Sequence, residues 1–144
     1  MASRKPEDLH PDMLPKYRSF IQGCNEQGID VLVTCTYRSN EEQTNLYAQG
    51  RTKPGKIVTK AKAGQSKHNN TINDKPAAKA FDVVPLRNGK LIWGTAGDGV
   101  DDDPSDDLTD DLELWQRVGA IGERCGLEWA GRWKFREYAH FQIT

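Results

Sequence analysis

The chain ends Trp133-Lys134-Phe135-Arg136-Glu137-Tyr138-Ala139-His140-Phe141-Gln142-Ile143-Thr144, and the rest of the sequence is best read outward from this stretch. Chain ends ordinarily fray. This one instead carries Trp, Phe, Tyr, His and Phe, the composition of a buried strand with a polar insert. His140 is one of only three histidines, and it stands three residues after Glu137, between aromatics. A second histidine, His68, lies in the small polar loop Gly64-Gln65-Ser66-Lys67-His68-Asn69-Asn70. Soon after comes Ala80-Phe81-Asp82-Val83-Val84, an acid set into an apolar strand. Two His, one Asp and a spare Glu form a candidate catalytic zinc site, with three protein ligands, an open position for water, and a base. A histidine in an apolar strand is more often a satisfied core residue, so the reading depends on its neighbours.

At 144 residues the chain fits one domain, spanning residues 1–144 and long enough to bury roughly two-thirds of its unfolded surface. A hydrophobic fraction of 36% with four Trp separates it from disordered chains. No run approaches the ~18 apolar residues of a membrane helix, and the polar stretch Met1–Asp12 shows no secretory signal. Three cysteines, Cys24, Cys35 and Cys125, form no CxxC pair and are read as small core residues, with a Cys24–Cys35 bridge left open. The net charge of −1 hides an asymmetry. Nine acids and no Lys or Arg lie between Asp98 and Glu113, which leaves 12 acids against 20 bases elsewhere. Eight of those bases fall between Arg51 and Lys79, facing only Asp74. Such a stretch is either a solvated lysine-rich loop or a surface for an anionic polymer such as cell wall, lipopolysaccharide or nucleic acid. Nucleic acid is set aside, because no aromatics are interleaved with the lysines.

Along the chain, Met13, Tyr17, Phe20 and Cys24 mark a helix over 11–27, stopped by Gly28. Ile29–Thr36 is β-branched and apolar and reads as a buried strand. Ser39 with Glu42 makes a capping box for a helix from Asn40 to Gln49, closed by Gly50. Arg38 therefore sits just before a helix N-terminus, where the dipole repels a cation, and is either an exposed arginine or a group aimed into a cleft. Residues 51–79 read as a long loop with one strand-like patch at Ile57-Val58. Strands at Ala80–Val84 and Lys90–Trp93 are joined by a turn at Arg87-Asn88-Gly89. Gly97–Asp107 resembles a calcium loop in composition only, since no register puts the acids and glycine at the required positions. A helix from Asp110 to Cys125 follows, with Thr109 as N-cap and Leu114, Val118, Ile121 and Cys125 as its apolar stripe, ended by Gly126. A turn at Ala130-Gly131-Arg132 leads to a final strand through His140 to Ile143.

The set Tyr37-Arg38-Ser39 with Gln43, Ser66-x-His68, Ala80-x-Asp82, Trp129-x-Gly131-x-Trp133, and Glu137-x-x-His140-Phe141-Gln142 resembles the zinc D-alanyl-D-alanine carboxypeptidase / L-alanyl-D-glutamate endopeptidase family, in particular its small phage endolysins. The resemblance runs from about Val31 to Gln142 with the motifs in family order. It implies an α+β fold, a small mixed or antiparallel sheet with packed helices, shared with hedgehog signalling domains. It implies zinc held by His68, Asp82 and His140, with Glu137 as general base and acid. Arg38 would bind the scissile carbonyl oxygen or a substrate carboxylate, and Ser66 would assist nearby. The family's Ser-x-His-x-x-Gly-x-Ala-x-Asp pattern is departed from here. His68 and Asp82 are 14 positions apart, seven more than in that pattern; Ala78 replaces its glycine, and Asn70–Ala77 forms an insert. Asp74, inside the insert, is the alternative third ligand. The implied activity is hydrolysis of peptidoglycan stem peptides, at L-Ala–D-Glu or before a terminal D-Ala. A monomeric phage lysin is expected, held in the host bacterial cytoplasm until it reaches the cell wall and periplasm. The other class is a non-catalytic binding module of the same fold, against which Glu137 speaks.

Overall fold

A computed structural model describes residues 2–93 and 110–143 of the chain. The acidic segment Gly97–Asp107 and the N-cap expected at Thr109 lie outside the described residues. Helix α1 runs Leu14–Glu26 and strand β1 Asp30–Cys35. Helix α2 is Asn40–Ala48, and the two-residue strands β2 and β3 are Thr71–Ile72 and Lys75–Pro76. Strand β4 covers Ala80–Arg87, β5 Lys90–Leu91, and helix α3 Asp110–Arg124. Strands β6, Glu128–Trp129, and β7, His140–Gln142, close the chain.

The sheet is antiparallel in the order β1-β4-β7-β6, with β5 also paired to β4. Its long central strand β4 presents alternate residues to two faces. Phe81 and Val83 face the helices: Phe81 stacks on Phe141 of β7 with ring centroids 5.6 Å apart, and Phe20 of α1 meets both rings at 5.4 and 4.8 Å. Met13, Phe20 and Cys24 are fully buried, as the helical spacing requires, and Gly28 adopts the left-handed φ of +71° that ends α1. Asp82 and His140 occupy the opposite face. The core is therefore on one side of β4 and the polar cluster on the other.

Several local expectations hold in detail. The Ser39 hydroxyl accepts from Glu42 N at 3.1 Å and the Glu42 carboxylate accepts from Ser39 N at 3.4 Å, completing the capping box. Asn88 and Gly89 both have positive φ, 53° and 76°, the signature of the tight hairpin turn between β4 and β5. Other expectations need correction. Strand β1 is an edge strand rather than a buried one, and Leu32 is 39% exposed. Ile57 and Val58 form no strand and pair with no edge among the described residues; they stand exposed on a cleft rim. The insert Asn70–Ala77 folds into the β2–β3 hairpin, turned at Asn73 and Asp74 with φ of 52° and 63°. On α3 the most buried large side chain is Trp115, next to the expected stripe. All three cysteines are free, so Cys24 and Cys35 do not pair.

Candidate metal centre

Two elements of strand pairing and one short turn assemble the cluster. In the register of the sheet Asp82 lies opposite Cys35 of β1 on one side and opposite His140 of β7 on the other. His68 comes from a 3-10 turn, Lys67–Asn69, whose N-terminus is capped by Ser66: the hydroxyl accepts from His68 N at 3.2 Å. Asn69 then donates to Arg38 O at 2.8 Å while Arg38 N donates to His68 O at 2.9 Å. These two bonds lash the turn to the end of β1, so the insert that follows lengthens the chain between His68 and Asp82 without moving either one.

The hydrogen bonds around the two imidazoles determine what they offer each other. His68 Nδ1 is 2.7 Å from Thr36 O, and a carbonyl can only accept, so Nδ1 carries the hydrogen and Nε2 is a lone pair. His140 Nε2 is 2.9 Å from Gln142 Oε1, which with the amide so oriented puts the hydrogen on Nε2 and leaves Nδ1 a lone pair. His68 Nε2, His140 Nδ1 and Asp82 Oδ1 then face one another at 3.1, 3.1 and 3.2 Å. Three acceptor atoms in a triangle with no hydrogen between them repel unless a cation joins them. Tetrahedral zinc with ligand bonds of 2.0–2.1 Å places neighbouring ligands about 3.3 Å apart, which this triangle matches as one face. The donor set and its outer hydrogen bonds therefore fit a zinc ion with one open position.

The electrostatics point the same way. Burial alone would raise the Asp82 carboxyl, but the adjoining His68 and His140 reverse this and hold it well below the usual carboxylate range. Burial lowers His68 and keeps it neutral, despite the opposing pull of Asp82. For His140 burial is again the largest single influence, yet the bond and charge of Asp82 outweigh it and raise the imidazole. A proton at His140 Nδ1 and a metal cation are thus competing occupants of the same gap.

Around the triangle lie the other expected residues. Arg38 is not exposed: its side chain is 13% accessible, with Nη2 3.5 Å from Asp82 Oδ2 and Nη1 donating at 3.0 Å to Gln43 Oε1. Gln43 is itself fully buried and donates to Ala61 O at 2.7 Å, so α2 fixes the guanidinium from behind. Glu137 is set by a tight turn, its N–H bonded to Ala130 O at 3.1 Å and its carbonyl accepting from His140 N at 3.2 Å. Burial raises its carboxyl above the ordinary glutamate range. Arg38, Ser66, His68, Asp82, Glu137 and His140 all line one cavity of about 630 Å³. Asp74 does not reach it; it is exposed at the tip of the β2–β3 turn.

One neighbour was missed. Cys35, read as a core residue, is buried but borders the site, its Sγ 3.6 Å from both His68 Nδ1 and Arg38 Nη2. Ligand atoms of Cys35, His68 and Asp82 lie within 4.8 Å of one another, a second possible metal grouping. The His140 triangle is the better one. Cys35 approaches His68 on Nδ1, the nitrogen already engaged by Thr36 and not the Nε2 that faces Asp82 and His140. Only its position three residues before Arg38 could have hinted at this.

Comparison with known proteins gives concordant results. Two family models, both described as D-alanyl-D-alanine carboxypeptidase, match residues 6–85 and 59–143. The peptidoglycan L-alanyl-D-glutamate endopeptidase CwlK of Bacillus subtilis is 36% identical over 140 residues, covering 96% of this chain and 75% of that protein. The crystal structure of the L-Ala D-Glu endopeptidase ChiX of Serratia marcescens superposes with a TM-score of 0.58 at 17% identity. That alignment covers 100% of this chain and 89% of the other, a likeness of fold.

Proposed function

Since the chain belongs to the D-alanyl-D-alanine carboxypeptidase family, we propose that it is a zinc-dependent peptidoglycan peptidase that hydrolyses the L-Ala–D-Glu bond of the stem peptide. The observation that carries the reading is the triangle of lone pairs from His68, Asp82 and His140 on the floor of a cleft that also holds Glu137 and Arg38. His68 Nε2, Asp82 Oδ1 and His140 Nδ1 would hold the ion. When bound, zinc supplies a Lewis acid that polarises the scissile carbonyl and brings the pKa of water at its open position toward ~7. The protein's own groups do the rest. Glu137, half-buried beside His140, takes the proton of the attacking water and passes it to the leaving amine; a carboxyl raised by burial is suited to both transfers. Arg38, aimed by Gln43, donates to the carbonyl oxygen as it becomes an oxyanion. Ser66 acts by holding the His68 turn.

The test is digestion of purified Gram-negative peptidoglycan with and without a strong zinc chelator, with fragments read by mass spectrometry. A chelator-sensitive new amino terminus on D-Glu is the expected result. Release of terminal D-Ala alone would replace the reading by a carboxypeptidase, the activity described for both matching family models. No release from folded, zinc-loaded protein would leave a binding module. Within the favoured reading the chain works as a monomeric phage lysin, held in the host cytoplasm until lysis. Expression in a bacterial host should leave cells intact until a pore-forming protein is co-expressed, and sedimentation should show a single-chain species. Early lysis without the pore would remove that role. No helix among the described residues is long and apolar enough to cross a membrane.

A further inference from the structure

Glu137 lines two cavities at once. One holds the His68–Asp82–His140 cluster; the other, of about 500 Å³, adjoins it and is walled by Lys60, Lys134, Phe135, Trp133 and Gln65. Lys60 Nζ lies 5.2 Å above the Phe135 ring, which holds the ammonium at the cavity wall. Neither Lys60 nor Lys134 has a carboxylate within ion-pair distance among the described residues, whereas Arg132 nearby is paired with Glu123. Apart from Glu137 no acid among the described residues lines this second cavity. It is a cationic, partly aromatic recess that shares Glu137, Phe135, Trp133 and Gln65 with the first cavity.

The chemistry of the reaction says what enters there. Glu137 delivers its proton to the leaving nitrogen, so the residue carrying that nitrogen lies against Glu137, next to the recess that Glu137 also lines. In a γ-linked D-glutamyl stem peptide, the carbon bearing the scissile nitrogen also bears a free α-carboxylate. We infer that the recess lined by Lys60, Lys134 and Phe135 is a subsite for the carboxylate on the leaving residue, and that it makes the enzyme selective for stem peptides in which this group is free rather than amidated. The inference rests on the peptidase reading and deepens it. The lysine-rich stretch of the sequence thereby divides: Lys60 serves the cleft, while Lys53, bonded to Asn45, belongs to the solvated surface. A terminal D-Ala would present the same carboxylate, so the test includes both sources.

Two synthetic stem peptides, with the D-glutamyl α-carboxylate free or as carboxamide, are compared with a D-Ala–D-Ala peptide pair differing in the same way at the terminus. The readout is the ratio of kcat/KM for free acid over amide. Wild type should favour the free D-glutamyl acid at least tenfold. The ratio should fall toward one in Lys60→Met/Lys134→Met and stay high in Lys53→Met. Selectivity confined to the D-Ala–D-Ala pair would assign the carboxylate to the chain terminus instead and overturn the D-glutamyl assignment. Equal rates on acid and amide by wild type, or an unchanged ratio in the double variant, would remove the subsite and leave the peptidase reading standing. Calorimetric binding of the D-glutamyl pair to Glu137→Gln protein supplies a readout independent of turnover. Tighter binding of the acid that depends on both lysines would uphold the recess even if no bond were cut, and equal binding of acid and amide would refute it.

Discussion

The side chains of His140, Glu137, Asp82 and Gln142 can each be removed separately. His140→Ala should lose both the metal and turnover. Glu137→Gln should retain about one equivalent of zinc while kcat falls by ~10²–10⁴, the range of a general base. Zinc content by mass spectrometry beside the rate separates the two, and a Glu137→Gln enzyme at wild-type speed would refute the base. Asp82→Asn should empty the site and Asp74→Asn should not, since Asp74 is exposed on the hairpin. The argument from tautomers predicts a subtler effect at Gln142. Its amide oxygen accepts from His140 Nε2 at 2.9 Å and so keeps the Nδ1 lone pair turned to the gap. Gln142→Leu should weaken zinc by about 10–100-fold in a chelator competition; unchanged affinity would mean that the tautomer is set elsewhere. Away from the site, burial pushes the Cys24 thiol from 9.0 up to about 12. An acid whose folded pKa is raised favours folding while protonated. Its contribution is complete below about 9 and is lost as pH climbs from there toward 12. The alkaline decline in stability should therefore be shallower in Cys24→Ala than in wild type, read by denaturant titration across that window.

Between elements, α3 packs closely against the sheet. Gly119 and Gly122 of this helix sit where a Cβ would fall inside the rings of Trp129 and Phe141. Alanine is the better helix former by about 1 kcal/mol, yet an overpacked contact costs about 1–3 kcal/mol. Gly122→Ala should therefore lower Tm in spite of its propensity, and a rise in Tm would show that the helix can ride away from Phe141. The helix limits themselves were legible in the sequence. Ser39 with Glu42, Gly28, and Asn88-Gly89 act through bonds or φ values a few residues wide, and each is found in place. Ile57-Val58 fails for the complementary reason: a strand needs an edge to pair with, and nothing local says whether one is there.

For the whole molecule, the cluster pins β4, β7 and the His68 turn together, three segments drawn from sequence separations of 14, 58 and 72 residues. An ion bridging them stabilises only the folded chain. With zinc at about a thousand times its Kd, chelation should lower Tm by on the order of 10 °C in calorimetry. No shift would mean that the ligands do not meet in solution as they do here. By itself, then, the sequence determined the helices, the Ser39–Glu42 cap, the hairpin turn, and the residue types able to hold a metal, because these depend on contacts within one or two turns of chain. His68, Asp82, His140, Glu137 and Arg38 could be named as candidates from their residue types together with the resemblance of their motifs to a known family. Only the tertiary structure decided that Asp82 and not Asp74 stands between the two imidazoles. It also decided that β1 is an edge, that Cys35 borders the site, and that Lys60 and Lys134 share a recess beside Glu137. Each of these follows from strand register and loop packing between residues far apart in the chain. That pairing is selected by the burial of Phe20, Phe81 and Phe141 together, an energy no local window of sequence contains.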